Sequence, residues 1–194
     1  MIIYCLLFIL LAFTSFYLIY IQNRKATSRF RIGYGFDSHP FLSTAAQTES
    51  PDRPLMLGGV KVFHDRSLHG HSDSDVVIHA LIDALLGAAA LDDIGQHFPE
   101  TDTSLKNVDS RVLLRSIKAK LSHAGFIIGN IDITLMAHQP KLSPYRTTMR
   151  MNLAADLAIQ PEQISVKFSS NNRLGFVGRQ EGIAAAAIAL IYSA

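Results

Sequence analysis

Hydrophobic and polar positions along the chain follow two patterns, and each predicts one kind of secondary structure. Apolar residues that alternate with small or polar ones predict strands, as do clusters of β-branched residues. By this criterion the predicted strands are Arg29 to His39, Leu55 to Phe63 with a break at Gly58-Gly59, Phe126 to Met136, and Ile164 to Phe168.

Helices are predicted where apolar residues recur every three or four positions next to capping residues. They are expected from about Val76 to near Leu91, from Asp109 to His123, and from about Tyr145 to Leu157. Polar residues, Gly or Pro are frequent in three further stretches, which we interpret as loops: Leu42 to Pro54, Asp92 to Asp102, and Ala137 to Tyr145.

The last apolar segment, Gly182 to Ser193, allows two interpretations. Its alanine content favours a helix, because alanine has the highest helix propensity. Its length and unbroken apolar character also fit a buried strand. Periodicity alone leaves this choice open.

The N-terminal segment differs from the rest of the chain. Met1 to Gln22 carries no charged side chain, and about 20 apolar residues suffice to cross a bilayer. The run also resembles a signal-peptide core followed by a basic stretch, as in a two-part organelle presequence. We therefore expect a hydrophobic targeting or anchor segment, 1–28, and a body, 29–194. Residues 1–21 would contact a membrane if retained, and a plastid-type organelle is favoured over a bacterial cytosolic or membrane-anchored form.

Composition narrows the function classes. Hydrophobic residues make up 48% of the chain and charged residues 18%, which indicates a globular body rather than disorder. A net charge of +2 is too small to indicate a nucleic-acid partner. Cys5 is the only cysteine, which excludes an intrachain disulfide and a cysteine-rich zinc site. Any metal must therefore be held by histidine and carboxylate.

The stretch from His71 to Asp83 begins with N-capping residue types and continues as an apolar helix. Helical spacing places Asp75, His79 and Asp83 on one face. An imidazole between two carboxylates on an apolar helix is costly unless something pairs with it. A metal ion or a charged ligand would do so; alternatively, His79 is a structural residue that hydrogen-bonds to the carboxylates.

Asp37 and His39 end the first predicted strand, and residues two apart on a strand point the same way. With His79 they form a set of two imidazoles and one carboxylate. Three protein ligands leave the fourth position of a tetrahedral Zn²⁺ open, as a catalytic site requires. The remaining histidines are expected to be surface or structural residues: His64, His69, His97, His123 and His138.

A second polar cluster runs from Ser169 to Arg179. It places hydroxyls and amides at the end of a strand and two arginines in a glycine-containing turn, and such groups suit phosphate oxygens. An ordinary hairpin with solvated arginines would explain the same residues. The helix start after Ser72 also offers free N–H groups to an anion.

Five motifs occur in order along the body. They are Arg31-Ile32-Gly33-x-Gly35-Phe36-Asp37-x-His39, Gly70-His71-Ser72-Asp73-x-Asp75-x-x-x-His79-Ala80-Leu81-x-Asp83-Ala84-Leu85-Leu86-Gly87-Ala88, Asp93-Ile94-Gly95-x-x-Phe98-Pro99, Pro140-Lys141 and Leu174-Gly175-Phe176-x-Gly178-Arg179. In this combination they resemble the 2-C-methyl-D-erythritol 2,4-cyclodiphosphate synthase family of the non-mevalonate isoprenoid pathway. The resemblance extends from Arg29 to Ala194.

The resemblance implies an α+β subunit, in which a four-stranded sheet has helices packed on one face, and a homotrimeric assembly with active sites between neighbouring subunits. It therefore favours a strand over residues 182–193. The implied enzyme is a zinc-dependent phosphorus–oxygen lyase that cyclises 4-diphosphocytidyl-2-C-methyl-D-erythritol 2-phosphate. The 2-phosphate attacks the β-phosphorus and CMP leaves. Because the nucleophile belongs to the substrate, the protein must supply positioning and charge neutralisation.

Residue roles follow from the same resemblance. One zinc per subunit would be held by Asp37, His39 and His79, and catalytic roles fall on His71 and Ser170. Substrate contacts are expected from Asp37, His39, His71, Ser72, Asp93, Ile94, Gly95, Phe98, Asp102, Ala137, Pro140, Lys141, Ser169, Ser170, Asn172, Phe176 and Arg179.

Three subsites are implied within this set. Asp93 to Gly95 would hold the methylerythritol, and Phe98 to Asp102 would close over it. Ala137 to Ser143 would receive the cytosine through main-chain groups. These assignments are expectations from the resemblance alone.

The chain departs from the family at Asn172, which stands where the family has a glutamate. That glutamate binds a second divalent ion, Mg²⁺ or Mn²⁺, which bridges the phosphates. An amide oxygen can coordinate Mg²⁺, but it lacks the negative charge that hard cations favour, so weaker binding is expected. Ser170 keeps the hydroxyl of the family's threonine, and Gln180 replaces a small residue.

Two other functions fit these residues. A metal-dependent phosphohydrolase would use zinc-bound water as the nucleophile and release inorganic phosphate. A non-catalytic metal-binding or isoprenoid-binding trimer would have kept the fold and lost activity through the change at Asn171 and Asn172.

Overall fold

The computed structural model describes residues 30–193. Its strands are β1 (Phe30–Pro40), β2 (Leu55–Leu57), β3 (Val60–Val62), β4 (Phe126–Met136), β5 (Ile164–Ser169) and β6 (Gly182–Ser193). Its helices are α1 (Thr44–Glu49), α2 (Val76–Ala89), α3 (Ile94–His97), α4 (Ser110–His123), α5 (Arg146–Leu157) and α6 (Gly175–Gly178). Short 3₁₀ turns cover Thr103–Leu105, Ser143–Tyr145, Pro161–Gln163 and Asn171–Arg173.

The predicted segment 1–28 lies outside the described residues. No helix within residues 30–193 is long and apolar enough to span a membrane.

The main sheet has four strands in the order β1-β6-β4-β5. Strand β4 runs parallel to β5 and antiparallel to β6, and Met136 at its end pairs with both Ser169 and Ala184. Gly182 at the start of β6 lies against the backbone of His39 and Pro40 in β1. The ends of β1, β4 and β5 therefore lie at the same end of the sheet. This end is where the predicted site residues leave the strands.

The hydrophobic core lies between one face of this sheet and helices α2, α4 and α5. The α+β fold with helices on one face of a four-stranded sheet is confirmed. Residues 182–193 form a strand despite their alanine content, because they pair with β4 along its length. Alternate residues of β6, from Ile183 to Ile191, are buried against the helices, and three of the five are alanines, which let helix α2 approach closely.

Strand β1 packs on helix α2 through glycines. A Cβ on Gly35 would lie 2.6 Å from the amide nitrogen of Ala84 and nearer still to the carbonyl oxygen of Ala80. The bulky residues that predicted this strand face away from the helices and are 47–65% exposed: Phe30, Ile32, Tyr34 and Phe36. The alternation correctly predicted a strand, but the face that is buried is the glycine face.

Two of the predicted loops contain short helices, so those predictions are wrong in part. Within Leu42–Pro54, helix α1 forms because the Ser43 hydroxyl accepts the Ala46 N–H and caps its first turn. Within Asp92–Asp102, the Asp93 carboxylate caps α3 in the same way. Capping residues of a four- to six-residue helix are hard to distinguish from ordinary loop residues in a sequence.

The predicted strand Leu55–Phe63 is instead a two-stranded hairpin of β2 and β3. Gly58 and Gly59 form its turn with φ of +60° and +70°, a backbone region that favours glycine. The break noted in the sequence is therefore a reversal of the chain.

Asp75 caps helix α2 rather than facing His79, so the predicted trio with His79 and Asp83 is wrong. The helix begins at Val76, and the fully buried carboxylate accepts four backbone N–H groups, those of Gly58, Gly59, Val77 and Ile78. Burial and the charge of Asp73 raise the pKa of Asp75 to about 6, although the amide donors oppose the shift. Asp75 thus joins the hairpin turn to the helix that carries His79.

We expect Asp75→Ala to lower the free energy of unfolding by about 3 kcal/mol or more, because it leaves several buried N–H groups without an acceptor. Asp109→Ala is the matched control: Asp109 caps α4 from an exposed position and accepts from Arg111 alone, so its loss should cost about 1 kcal/mol. Urea unfolding followed by circular dichroism measures both. Equal losses in the two variants would contradict the role assigned to Asp75.

Candidate metal centre

Three side-chain atoms from β1 and α2 converge on one point. The Oδ2 atom of Asp37 lies 3.0 Å from Nε2 of His39 and 3.1 Å from Nδ1 of His79, and the two nitrogens are 3.1 Å apart. A tetrahedral ion with bonds of about 2.0 Å holds its ligand atoms about 3.3 Å from one another. The three atoms are therefore spaced nearly as on one face of a coordination tetrahedron. The structure thus brings the three predicted ligands together.

The hydrogen bonds of the two imidazoles leave the converging nitrogens free to bind a metal. Nδ1–H of His39 donates to the main-chain carbonyl of His69 at 2.8 Å, so Nε2 carries the lone pair. Nε2 of His79 lies 3.1 Å from the hydroxyls of both Ser72 and Ser110, so a proton on Nε2 has acceptors and leaves the lone pair on Nδ1. Both rings thus point a lone pair at the position facing Asp37.

Asp37 is ionised under ordinary conditions. Burial opposes its charge, but the close contacts with the imidazoles of His39 and His79 outweigh burial and hold the pKa of this carboxyl well below its usual range. Burial lowers the pKa of His39, and the contact with Asp37 more than reverses this, so the net shift is upward. The centre therefore presents a carboxylate and two imidazoles, a donor set suited to Zn²⁺.

The centre opens into a cleft of about 190 Å³. Predicted site residues on its walls are Asp37, His39, His71, Ser72, His79, Ile94, Gly95 and Phe98. Glu100, from the predicted closing segment Phe98 to Asp102, also lines the cleft, as do Leu105, Val108 and Leu113, to which the sequence had assigned no role in the site. Apolar side chains thus surround a polar floor, as in many small-molecule sites.

The loop wall of the cleft is anchored by polar contacts. The Asp83 carboxylate accepts the Ile94 N–H at 2.8 Å, and burial raises the pKa of Asp83 against this hydrogen bond. Nε2 of His71 lies 3.2 Å from the main-chain carbonyl of Asp102. Asp93 directs its side chain to the cap of α3. Asp83 is therefore a support for residues 94–95 and does not pair with His79.

Ser72, expected to touch phosphate, has its hydroxyl turned to His79. The turn that carries it is held by Arg53, whose Nη2 donates to the carbonyls of Gly70 and Ser72 and to the hydroxyl of Ser74, at 2.8–3.1 Å. The sequence reasoning missed Arg53, because its partners lie 17 to 21 residues away.

Apart from Asp93 and Asp102 in the loop wall, the other predicted site residues lie outside the cleft, at the same end of the sheet. They are Ala137, Pro140, Lys141, Ser169, Ser170, Asn172, Phe176 and Arg179. The Ala137 N–H donates to the Ser169 carbonyl at 2.9 Å, which joins the loop after β4 to the end of β5. Two strand spacings of about 4.8 Å separate β1 from β4. Within one chain, Ala137, Ser169 and Ser170 are therefore set apart laterally from the candidate metal ligands, whereas Phe176 lines a small cavity together with His39.

The segment after β5 is not an ordinary hairpin turn. Asn171, Asn172 and Arg173 have φ of +53°, +48° and +66°, and asparagine tolerates this left-handed region better than most residues. Arg179 pairs with Glu181 at 2.8 Å, and Phe176 lines a small cavity with Ser38 and Pro40. Asn172 thus suits the backbone at the position where the sequence comparison expected glutamate.

Fold and site together define an α+β protein with a candidate metal centre at one end of a mixed sheet. The chain belongs to the YgbB family, whose model matches residues 30–192. A 2-C-methyl-D-erythritol 2,4-cyclodiphosphate synthase from Burkholderia ambifaria (strain MC40-6) is 50% identical over 165 residues, which cover 85% of this chain and 98% of that protein.

Solved structures agree with this assignment. The bifunctional IspDF from Campylobacter jejuni is 39% identical with a TM-score of 0.78, covering 85% of this chain and 42% of the bifunctional one. IspF from Plasmodium falciparum, solved as a CDP complex, is 32% identical with a TM-score of 0.71, covering 84% of this chain and 96% of that one. The family and the cyclodiphosphate synthase function predicted from the motifs are confirmed, and with them the lyase class.

The predicted preference for a plastid-type organelle is wrong. The relatives that match the body at about half identity are bacterial proteins, from several Burkholderia species. An apolar run followed by bases is a compositional signal that a bacterial chain can also carry.

Proposed function

We propose that the Asp37–His39–His79 centre holds Zn²⁺ and that this chain closes the cyclodiphosphate ring on it. The observation that carries the proposal is the triangle of three ligand atoms, together with a polar partner for the second nitrogen of each imidazole. When bound there, zinc would act as a Lewis acid on a phosphate oxygen. A bond then forms between the 2-phosphate oxygen and the β-phosphorus, and the bond from that phosphorus to the CMP oxygen breaks.

The chain's own residues would position the substrate. The walls at Ile94, Gly95 and Phe98 would hold the methylerythritol beside the centre and exclude water. His71 stands on the rim and would contact the phosphates. Ser170 would donate a hydrogen bond to the transferring phosphate, and Arg179 would neutralise part of its charge. The loop from Ala137 to Ser143 would receive the cytosine.

The decisive experiment incubates the chain with 4-diphosphocytidyl-2-C-methyl-D-erythritol 2-phosphate, Zn²⁺ and Mg²⁺ and identifies the products. Cyclisation gives CMP and cyclic diphosphate in equal amounts with no inorganic phosphate. Release of inorganic phosphate would instead indicate a phosphohydrolase. No CMP at any Mg²⁺ concentration would favour a binding protein without catalysis.

We further propose that a second divalent ion, Mg²⁺ or Mn²⁺, bridges the substrate phosphates near Asn172 and binds weakly there. We expect Asn172→Glu to lower the Mg²⁺ concentration for half-maximal activity roughly tenfold, because it adds a charge favoured by hard cations. Glutamate at a φ of +48° also costs some stability, so the half-saturation value is compared rather than the maximal rate. Equal half-saturation in the two proteins would contradict the proposal.

A homotrimer with shared sites is proposed from the outer face of the sheet. Bulky apolar side chains on this face are 41–65% exposed in the single chain: Phe30, Ile32, Tyr34, Phe36, Ile127, Ile188 and Tyr192. Contiguous apolar surface of this kind is unusual on a monomer. Packing it against neighbouring copies would also bring the Ser169–Arg179 group of one subunit toward the metal centre of another.

We expect Tyr34→Glu to convert the trimer to monomers, because a carboxylate would have to be buried without a partner. Val112→Glu is the control, since Val112 is 46% exposed on helix α4, away from that face. Light scattering after size-exclusion chromatography gives both masses. A trimeric Tyr34→Glu protein would exclude this face as the interface.

The division into a segment 1–28 and a body 29–194 is also proposed. It is supported by the family match, which begins at residue 30. It is also supported by a relative that aligns over 98% of its own length with only 85% of this chain. Contact of residues 1–21 with a membrane belongs to the same proposal. Vesicle flotation of the full chain, compared with a chain lacking residues 2–28, tests it.

A further inference from the structure

Behind His79, away from the cleft, a hydroxyl and a carboxylate form a hydrogen-bonded chain that the motifs did not reveal. The Ser110 hydroxyl lies 3.1 Å from Nε2 of His79 and 2.5 Å from Oδ1 of Asp73. Oδ2 of Asp73 also accepts the Ser110 N–H at 3.1 Å. Ser110 is fully buried, and Asp73 is half-buried.

The direction of these hydrogen bonds is set by chemistry. A carboxylate only accepts, so the Ser110 hydroxyl must donate its proton to Asp73. Its oxygen then offers a lone pair to His79, and Nε2 of His79 must carry a proton. Nδ1, the atom that faces Asp37 and His39, is therefore the nitrogen with the free lone pair.

We propose that Asp73 and Ser110 are positioning residues of the metal centre, which fix the tautomer and ring orientation of His79 so that Nδ1 binds the metal. The inference rests on the proposed zinc function of Asp37, His39 and His79. Metal-binding histidines commonly donate their second N–H to such a partner, and loss of the partner typically weakens metal binding 10- to 100-fold.

A purely structural role for the Ser110 hydroxyl does not account for this geometry. Ser110 is the first residue of helix α4, but the cap is Asp109, whose carboxylate accepts the Arg111 N–H. The helix start is thus satisfied without the Ser110 hydroxyl. Ser72 also offers its hydroxyl to Nε2 of His79, but among the described residues it has no carboxylate behind it to set the direction of its proton.

The test measures the zinc dissociation constant of the full chain at one pH by competition with a chromophoric chelator. We expect Ser110→Ala to raise this constant about 10-fold or more, within the range known for outer partners of metal-bound histidine. Asp73→Asn should do the same, because an amide can donate to the Ser110 oxygen and so turn its proton toward His79. Ser110→Thr keeps the hydroxyl and should stay near the wild-type value.

Ser104→Ala is the matched control. The Ser104 hydroxyl donates to Asp102 at 2.6 Å, the same kind of pair, on the exposed loop and without contact to a metal ligand. Its loss should leave zinc affinity unchanged. Thermal unfolding of each variant separates a loss of folding from a loss of metal.

Wild-type zinc affinity in both folded Ser110→Ala and folded Asp73→Asn would overturn the inference while leaving the proposed function intact. Failure of the function itself gives a different result. In that case the wild-type chain binds no zinc, or His79→Ala binds it as tightly as wild type does. If Ser110→Ala does not fold, Asp73→Asn alone decides.

Discussion

Replacing His79 with alanine should remove zinc and activity together. Two remaining ligands, Asp37 and His39, hold Zn²⁺ poorly, since protein sites of this kind use three. In the proposed mechanism the ion stabilises the charge that develops on the transferring phosphate, so we expect its loss to lower the rate roughly a thousandfold or more. Elemental analysis of the purified protein and the rate of CMP release measure the two losses.

His123→Ala serves as the control for this variant. His123 is an exposed histidine at the last position of helix α4, far along the sequence from every ligand, so zinc content and rate should match wild type. A His79→Ala protein with full zinc occupancy would show that the metal is held elsewhere. A protein that keeps zinc but loses CMP release would point to a role for His79 outside coordination.

Replacing Gly35 with alanine should be as damaging, for a different reason. The added Cβ would meet the backbone of helix α2 at Ala80 and Ala84, and neither atom belongs to a side chain that could move aside. Strand and helix would have to separate, at a cost of about 3 kcal/mol or more from overpacking and lost contacts. Since Asp37 lies two residues further along β1, zinc affinity should fall along with stability.

Gly87→Ala is the comparison for this prediction. Gly87 lies on the exposed side of the same helix, and a Cβ there would come no closer than 4.0 Å to the Tyr34 carbonyl. Alanine should stabilise the helix by about 1 kcal/mol, because glycine is a poor helix former. Thermal unfolding and zinc titration of both variants measure the contrast. Two variants of equal stability would show that β1 can move away from α2 at little cost.

Local patterns in the sequence were sufficient for most of the fold. The bounds predicted for β4 coincide with those of the strand, and α4 differs by one residue at its start. For residues 182–193, helix propensity favoured a helix and the family resemblance favoured a strand, and the strand is correct. Pairing with β4 outweighs the preference of alanine for helix.

The face of β1 and the cap of α2 could not be predicted from local patterns. An alternation of bulky and small residues does not say which side is buried, and the close approach of β1 to a helix backbone made it the glycine side. Likewise, Asp75 faces the hairpin turn because Gly58 and Gly59 reach it from 16 to 17 residues away. Both outcomes depend on contacts distant in sequence.

The candidate metal ligands could be predicted because the motif resemblance named them, whereas their hydrogen-bond partners could not. His39 donates to the main-chain carbonyl of His69, a group that any residue type would provide. Ser110 lies at the start of a helix outside the motifs, and Asp73 was named within a motif without a role of its own. Searching the predicted helix starts for hydroxyl or carboxylate residues would have found both as candidates, without indicating that they reach His79.

The order of strands in the sheet predicts the activity of trimers that contain two different variants of the chain. The candidate ligands Asp37 and His39 lie at the end of β1, while Ser170 follows β5 at the opposite edge of the sheet. Suppose that each active site combines the β1 edge of one subunit with the β5 edge of another. A trimer made only of His79 variants, or only of Ser170 variants, would then be inactive. When the two variants are co-expressed, some active sites of a mixed trimer would contain both defects and others would contain neither. The mixture of two inactive variants would therefore recover part of the activity.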